Sequence, residues 1–444
     1  MPDIKYFDIA IIGGGAAGLA AAYGASSFNK NAKIAILEKM PRPGRKIMIT
    51  GKGRCNLTNM KDWSDFAGHI HPKANFLKPA FYSFDPAHTV EFFNTAGMDT
   101  VTERGDRVFP ASHIASDVVD ALVRTADESG VRIETGKEVE RIVRKSTDNK
   151  TAFEITCSNG DTLLCEKIII ATGGLSYPST GSTGDGYRWA EETGHKISRL
   201  FPSLTAIVPE NYKVTDLRGH INRNIPLSET GKYLNGNQLK NVSITLWVNG
   251  NISKEEFGDI DFTDGGIEGP VGFKISRKCV ESIMNGSKAY VTLDLKPAVS
   301  HEALQSRISK LWKEICEDRR SFNKSYRDKF NVLAGKLIPR SLVQGFIKCN
   351  QSADHKTIAK YLKNWKFNIA GYVGYERCVV TAGGVSQEDI TAKTLESKKC
   401  KGMYFAGEVI DIDGDTGGYN LQTAFSTGYL AGVSAAKSLD NFQK

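Results

Sequence analysis

Near its amino end the chain reads DIAIIGGGAAGLAAAYG over residues 8–24, and AKIAILEK follows over residues 32–39. The first apolar run, Tyr6 to Ile12, has the length of a buried strand, and the small residues from Ala16 onward suit a closely packed helix. A second apolar run, Ala32 to Leu37, ends at Glu38. This succession predicts a β-α-β unit, and therefore a parallel sheet within an α/β fold.

The turn between the first strand and the helix carries the Gly-x-Gly-x-x-Gly spacing of dinucleotide-binding proteins. Gly13 allows the tight turn, Gly15 leaves room for a pyrophosphate, and Gly18 lets the helix pack closely. Glu38 stands about 20 residues further on, where an acid accepts hydrogen bonds from ribose hydroxyls. A glycine-rich turn without a ligand is the alternative. Because the strand, the helix and the acid all stand where the motif requires them, nucleotide binding is favoured.

A second glycine-rich stretch reads GRKIMITGKGRCNLTN over residues 44–59. It is not a P-loop, because Gly53 follows Lys52 where Ser or Thr is required. Glycines that alternate with cations predict a loop passing close to an anionic or electron-rich ligand, and a merely basic loop is the alternative. The binding residues predicted here are Arg45, Lys46, Thr50, Gly51, Gly53, Arg54, Cys55 and Asn56.

Two further stretches join an apolar strand to a glycine-rich turn. IIIATGG over residues 168–174 precedes GDG at 184–186, and GMYFAGE over 402–408 precedes GDTGGYNLQ over 414–422. The three aspartates at 411, 413 and 415 imitate the start of a calcium loop. Thr416 and Gln422 nevertheless occupy the positions that require Gly and Glu, so we predict no metal site.

The composition excludes several classes of protein. With 444 residues, of which 40% are hydrophobic and 24% charged, the chain can bury a large core, and its length suggests two or three domains. The formal charge of +8 is mild, and the basic segment Arg307 to Lys329 is best interpreted as a solvated helical face. Residues 9–28 carry no formal charge, but three consecutive glycines argue against a membrane span. The eight cysteines form no C-x-x-C pair, which favours reduced thiols in a cytoplasm.

Together these motifs resemble the FAD-binding flavoproteins of the glutathione-reductase and fumarate-reductase type. The GRCNLTN and GGYNLQ stretches are similar, more narrowly, to those of the BaiN/YhiN-like family, NAD(P)/FAD-dependent oxidoreductases also described as aminoacetone-oxidase-like. The resemblance covers nearly the whole chain and is strongest in residues 8–60, 168–190 and 379–432.

The resemblance implies where each part of FAD would bind. The pyrophosphate would lie at Gly13 to Gly18, the ribose at Glu38, the adenine near Val139, and the flavin along the stretch from Arg45 to Asn56. The remaining cofactor-binding residues that it implies are Ala16, Ala17, Lys39, Thr172, Gly173, Gly174, Gly407, Glu408, Gly418, Tyr419, Asn420 and Leu421.

The predicted fold is therefore α/β: a Rossmann-type FAD-binding domain interrupted by a β-rich domain and a small helical subdomain. The FAD-binding domain is expected in residues 1–193 and 376–444. The β-rich domain is expected in residues 194–262 and 336–375, with the helical insertion at 263–335.

The predicted function is hydride transfer between FAD and a small or medium organic substrate. NAD(P)H is a possible reductant that binds transiently, since no second nucleotide motif follows residue 190. The alternatives are an FAD-dependent RNA-modifying enzyme and a non-catalytic flavin-binding protein. We expect neither a nucleic-acid nor a membrane partner, and the catalytic residues and the oligomeric state are left open.

One segment departs from the family pattern. Relatives usually carry Phe-Thr-His followed by Gly-x-Ser-Gly-Pro, whereas this chain has FTDGGIEGP over residues 262–270. Asp264 thus replaces a histidine and Glu268 replaces a serine. A changed substrate and a surface loop that has drifted are equally good interpretations.

Overall fold

The computed structural model describes residues 5–147, 150–321 and 323–439. The chain divides into two compact units: Met1–Phe201 with Val380–Lys444, and Pro202–Val379. The sequence predicts the corresponding boundaries at 193/194 and 375/376.

The α-helices and strands follow one another in an order typical of a sheet with covering helices. The helices are α1 (Ala16–Phe28), α2 (Arg45–Ile49), α3 (Trp63–Phe66), α4 (Lys78–Ser83), α5 (Pro86–Thr95), α6 (Ala115–Glu128), α7 (Asp185–Glu192), α8 (Glu229–Leu234), α9 (Gly269–Met284), α10 (His301–Glu317), α11 (Tyr326–Leu337), α12 (Val343–Cys349), α13 (Ile358–Lys363) and α14 (Tyr419–Lys437). The strands are β1 (Lys5–Ile12), β2 (Ile34–Glu38), β3 (Thr58–Asn59), β4 (Ile70–His71), β5 (Thr100–Glu103), β6 (Arg107–Pro110), β7 (Arg132–Thr135), β8 (Val139–Thr147), β9 (Lys150–Cys157), β10 (Thr162–Ile170), β11 (Phe201–Ser203), β12 (Ile207–Pro209), β13 (Gly219–His220), β14 (Gln238–Val248), β15 (Asn251–Thr263), β16 (Gly266–Glu268), β17 (Ala289–Asp294), β18 (Trp365–Tyr372), β19 (Val380–Ala382), β20 (Met403–Phe405) and β21 (Asp413–Gly414).

The first unit is built on a sheet in the order β7-β2-β1-β10-β9-β8, with β20 also beside β10. Strands β7, β2, β1, β10 and β20 run parallel, as the β-α-β pattern predicts. The carboxyl halves of β1 and β10 and most of β2 are buried, which explains the apolar runs at residues 9–12, 34–37 and 168–170. The turn at Asn159-Gly160 joins β9 to β10 as an antiparallel hairpin.

Helices α1 and α14 pack against each other through glycines. A Cβ on Gly428 would lie 2.2 Å from the Ala17 carbonyl oxygen, and one on Gly432 would lie 2.0 Å from that of Ala21. Since real Cβ atoms do not approach backbone so closely, only glycine permits this separation of the helices. The last long helix of the chain is thereby fixed against the first.

The second unit is a sheet in the order β12-β16-β15-β14-β17-β18-β13. It closes on itself, because β12 pairs with both β16 and β18. Helices α9 to α13 cover it and share one apolar core with it. Strand β17 stands inside residues 263–335, the segment that the sequence assigns to a helical insertion, and pairs with β14 and β18. Helices and sheet are therefore one packed structure rather than two.

Within the described ranges, none of the helices has both the length and the apolar character needed to cross a membrane.

Candidate functional site

The carboxyl ends of the parallel strands lie side by side in the first unit. Ile12 at the end of β1 pairs with Leu37 of β2 and with Ile170 of β10, and Ile170 pairs with Phe405 of β20. The glycine-rich turns that follow these strands therefore share one edge of the sheet. In open α/β sheets this edge is where ligands bind.

The turn after β1 has the geometry of a phosphate site. A Cβ on Gly18 would lie 1.9 Å from the Gly13 carbonyl oxygen, so α1 packs directly on the turn. Nothing lies within 4 Å of the position of a Cβ on Gly15, which is the N-cap of α1. No side chain caps α1, so its first N–H groups are available to an anion.

Glu38 is fixed by the backbone around that turn. Its Oε2 accepts from the Gly14 N–H at 2.7 Å, and its Oε1 accepts from the Met40 N–H at 2.7 Å. Burial raises the pKa of Glu38, and these two hydrogen bonds oppose that shift. The Lys137 N–H donates to the Glu38 carbonyl oxygen at 2.9 Å, which brings the start of β8, and hence Val139, to the same edge. The carboxylate keeps further lone pairs for hydroxyl donors.

Lys39 is held away from bulk solvent by an aspartate of the GDG turn. Its Nζ lies 2.7 Å from Asp185 Oδ2 and also donates to Thr183. Lys39 thus joins the end of β2 to the start of α7.

The stretch after α2 is a compact turn with unusual backbone angles. A 3₁₀ segment at Thr50–Gly53 contains Gly51 at φ 56° and Lys52 at φ 58°, and Cys55 follows at φ 55°. Cys55 is fully buried, and this burial raises its pKa to about 12. The thiol is therefore protonated at neutral pH. Arg54 pairs with Glu103 and lies 4.4 Å from the centre of the Phe109 ring.

Two buried polar atoms follow this turn and have no hydrogen-bond partner among the described residues. They are Asn56 Oδ1 and Thr58 Oγ1, and Thr58 is fully buried. A buried acceptor or hydroxyl left unpaired costs about 1–3 kcal/mol, so such atoms call for an ordered water or a ligand to complete their hydrogen bonds. Thr58 also adjoins α14, because a Cβ on Gly418 would lie 2.4 Å from the Thr58 carbonyl carbon.

Lys46 and Glu408 form the centre of a charged network. Lys46 Nζ lies 2.5 Å from Glu408 Oε2 and also donates to Ser176. Glu408 Oε1 accepts from Ser176 Oγ at 2.6 Å and from the Thr381 N–H at 2.8 Å. The network joins α2, the turn after β10, and the strand end at β19.

The glycines of the later turns are required by close contacts. A Cβ on Gly174 would lie 2.5 Å from Thr381 Oγ1, and one on Gly173 would lie 2.8 Å from Ser182 Oγ. Thr172 Oγ1 would lie 2.3 Å from a Cβ on Gly186. Gly407 has φ 75°, and its N–H donates to Thr427 Oγ1 at 2.9 Å, which ties the end of β20 to α14.

The N-terminus of α14 has no side-chain cap, and Gly418 with φ 99° is its N-cap. The side chain of Asn420 turns back toward the preceding loop. Its Oδ1 accepts from the Gly414 N–H at 2.8 Å, and its Nδ2 donates to the Gly414 carbonyl at 2.7 Å. A ligand at this end of α14 would therefore be bound by the backbone N–H groups of the helix rather than by the Asn420 side-chain amide.

All the predicted cofactor-binding residues lie in the first unit, at the turns described above. That they bind a cofactor stays a prediction. Sequence reasoning missed Gly14, Thr58, Ser176 and Thr381 as members of these turns. A signal for Thr381 existed, since TAGG over residues 381–384 repeats the strand-to-glycine pattern.

The departing segment lies in the second unit, and its two acids share one arginine. Arg377 pairs with Asp264, and its Nε lies 2.6 Å from Glu268 Oε1. Burial raises the pKa of Glu268, whereas the pKa of Asp264 is lowered, because Arg377 outweighs its partial burial. The two substitutions thus meet in one ionic cluster, and no observation connects this cluster to a substrate.

Comparison with known proteins gives consistent results. The family model described as the HI0933-like protein Rossmann domain matches residues 7–434. The 3-dehydro-bile acid delta(4,6)-reductase of Clostridium scindens is 30% identical over 97% of this chain and 99% of that protein. The ribosomal RNA dihydrouridine synthase of Escherichia coli is 29% identical over 98% of this chain and 100% of that protein. Among solved structures, the 3-ketosteroid delta1-dehydrogenase of Sterolibacterium denitrificans aligns with a TM-score of 0.50 at 13% identity, over 98% of this chain and 100% of that one.

These matches confirm the predicted family and the Rossmann-type fold class. They also confirm the coarse prediction of an enzyme of the flavoprotein oxidoreductase class. The substrate and the reductant are not part of that result.

Proposed function

The chain belongs to the HI0933-like Rossmann family, and on that premise we propose that it binds FAD non-covalently at the carboxyl edge of the first unit's sheet. The pair of buried, unpartnered atoms Asn56 Oδ1 and Thr58 Oγ1 carries the proposal, because a polar ring system would complete their hydrogen bonds. The open space at Gly15 and the uncapped start of α1 suit a pyrophosphate. The fingerprint ending at Glu38 recognises an adenosine half, which favours FAD over FMN.

The residues present fit each part of that cofactor. Glu38 would hold the ribose, the turn Thr50 to Asn56 would lie along the ring system, and the N-terminus of α14 would face its pyrimidine edge. Bound FAD would supply hydride transfer. With the cofactor bound in this way, the free N–H groups of α14 would present the positive end of a helix dipole to the negative charge of the reduced ring and would favour reduction.

The proposed reaction is reduction of a carbon–carbon double bond conjugated with a carbonyl group in an organic substrate. The names of both relatives support this class, since a delta(4,6)-reductase and a dihydrouridine synthase each reduce a ring double bond. A small or medium substrate is favoured over RNA, because cations of the basic segment are accompanied by acids. Lys313 lies 3.9 Å from Glu317, and Arg320 lies 3.2 Å from Asp318. NAD(P)H is the proposed reductant, and the eight free cysteines support a cytoplasmic location.

Two measurements test this function. Flavin released by heat from the purified yellow protein should co-elute with FAD. FMN, or no flavin after refolding with excess FAD, would refute the cofactor assignment. Stopped-flow mixing with NADH and NADPH, then with a 3-oxo-4-ene steroid or a uridine-containing RNA, should give reoxidation by the enone.

Two other outcomes of that screen would each support an alternative function. Turnover of RNA alone, weakening steeply with salt, would replace the small substrate by a nucleic acid. Photoreduction without reoxidation by any acceptor would favour a non-catalytic flavoprotein.

A further inference from the structure

Two histidines and one aspartate lie together beside the first turn of α14. Strand β4 pairs with β21, and the Asp415 N–H donates to the His69 carbonyl oxygen at 2.9 Å. This pairing brings both imidazoles to one carboxylate. His69 Nδ1 lies 3.0 Å from Asp415 Oδ2, and His71 Nε2 lies 3.6 Å from Asp415 Oδ1. We call these three side chains the histidine cluster.

The carboxylate is the buried member of the histidine cluster. The Asp415 side chain is 8% exposed, whereas those of His69 and His71 are 26% and 31% exposed. Protons can therefore reach the imidazoles from solvent. A poorly solvated carboxylate in contact stabilises an imidazolium more strongly than a surface carboxylate would.

The cluster is connected to the start of α14 by two contacts. The His69 ring stacks on the Tyr419 ring, with centroids 4.3 Å apart and an interplanar angle of 23°. Asn420 Nδ2 donates to the Asp415 carbonyl oxygen at 3.2 Å. Burial raises the pKa of Tyr419, which favours the neutral phenol.

Acidic side chains act on this region from other elements. Asp65 on α3 and Asp106 between β5 and β6 act on Tyr419, and Asp413 lies opposite His71 in the strand pairing. Asp65 is itself paired with Lys61 at 3.1 Å. A proton added to the cluster reduces the repulsion that nearby carboxylates exert on a further negative charge.

We propose that the histidine cluster takes up one proton when a flavin held at the N-terminus of α14 is reduced, an inference that rests on the proposed function. A hydride from the nicotinamide donor brings two electrons and one proton to the cofactor and leaves one added negative charge there. A proton from water binds an imidazole nitrogen of His69 or His71 and adds one positive charge beside Asp415. The net charge of the site is then unchanged. Both histidines are positioning residues, because they act through Tyr419 and the helix.

The test is the flavin midpoint potential as a function of pH in the FAD-loaded protein, measured by dye equilibration between pH 5 and 8. Each proton linked to a two-electron couple changes the equilibrium tenfold per pH unit, which is about 30 mV. The midpoint potential of the wild type should fall by about 60 mV per pH unit over the range in which reduction is accompanied by uptake of this additional proton. The double variant His69→Gln/His71→Gln should fall by about 30 mV per pH unit throughout.

The chain offers a matched control in the same unit. His88 Nδ1 lies 2.9 Å from Asp85 Oδ1, its side chain is 53% exposed, and its ring faces that of Phe84. His88→Gln should keep the wild-type slope. Equal slopes in the wild type and the double variant would overturn the inference.

A second readout avoids variants that fail to fold. At a fixed pH, the ring-carbon NMR signals of His69 and His71 should move toward the imidazolium position when the FAD-loaded protein is reduced with dithionite. Signals that do not move on reduction would overturn the inference while leaving FAD binding intact. Absence of bound FAD would overturn the proposed function, and the inference with it.

Discussion

Two neighbouring glycines should separate cofactor binding from folding. At Gly15 the backbone has φ −81° and ψ −170°, which any residue adopts, and a Cβ would meet nothing within 4 Å. Gly15→Val should therefore cost the apo-protein at most about 1 kcal/mol, the cost of a poorer N-cap. At Gly18 a Cβ would meet the Gly13 carbonyl oxygen at 1.9 Å, so Gly18→Ala should force the helix off the turn and cost about 3 kcal/mol.

Although Gly15→Val should lose less stability than Gly18→Ala, it should lose more affinity for FAD. The valine side chain would fill the space left for the pyrophosphate, so the Kd for FAD of Gly15→Val should rise at least about a hundredfold, or about 2.7 kcal/mol. Thermal unfolding of the stripped proteins should place Gly15→Val within about 4 °C of the wild type and Gly18→Ala about 6–12 °C below it. Gly335→Val on α11, in the second unit, serves as the control for valine itself.

Flavin-fluorescence quenching gives the Kd, and differential scanning calorimetry gives the melting temperature. If Gly15→Val binds FAD within threefold of the wild-type Kd, the pyrophosphate does not lie at this turn. If Gly18→Ala melts with the wild type, the contact between α1 and the turn is not as close as described.

Three further outcomes are expected. Glu38→Gln should weaken FAD binding about tenfold. Because the ionised carboxylate is the acceptor and burial raises its pKa, the affinity of the wild type for FAD should fall as the pH drops through that raised value. The affinity of the variant should not show this fall at acidic pH. Cys55→Ser should keep the rate of flavin reduction within about tenfold of the wild-type rate. In the native protein a thiol reagent should modify exposed Cys316, while Cys55, with its pKa raised to about 12, stays unmodified. Early modification of Cys55 would contradict its burial. Arg377→Met should lower the stability of the second unit by about 3 kcal/mol, because Glu268 is left buried without its cation, and an unchanged denaturation midpoint would show that the cluster is well hydrated.

Local pattern was enough to predict the parallel strands and the glycine turn at Gly13 to Gly18. These features depend on residues close in sequence, whose spacing and size limit the backbone directly. The contacts that complete the site could not be predicted in this way. Lys46 and Glu408 are 362 positions apart, and His69 and Asp415 are 346 apart, so only the folded sheet brings them together.

The direction of a side chain is a second feature that could not be predicted from the sequence. Cofactor binding by Asn420 stays a prediction, but the sequence did not show that its side-chain amide is hydrogen-bonded to the loop at Gly414. Strand β17 lies between two amphipathic helices, and its six residues were too few to stand out from them. Its place in the sheet is fixed by pairing with distant strands, which no local period reveals.

The glycine contacts between α1 and α14 have a consequence for biosynthesis. The helix that would receive the pyrophosphate is made before Pro202–Val379, whereas α14, which packs on it through Gly428 and Gly432, is made after that whole segment. Pairing of β10 with β20 likewise waits for residues beyond 400. On the ribosome the second unit can therefore collapse while the first still lacks α14 and the strands β19, β20 and β21. We expect such nascent chains to expose the apolar face of α1 until α14 emerges, and to acquire cofactor only after that step.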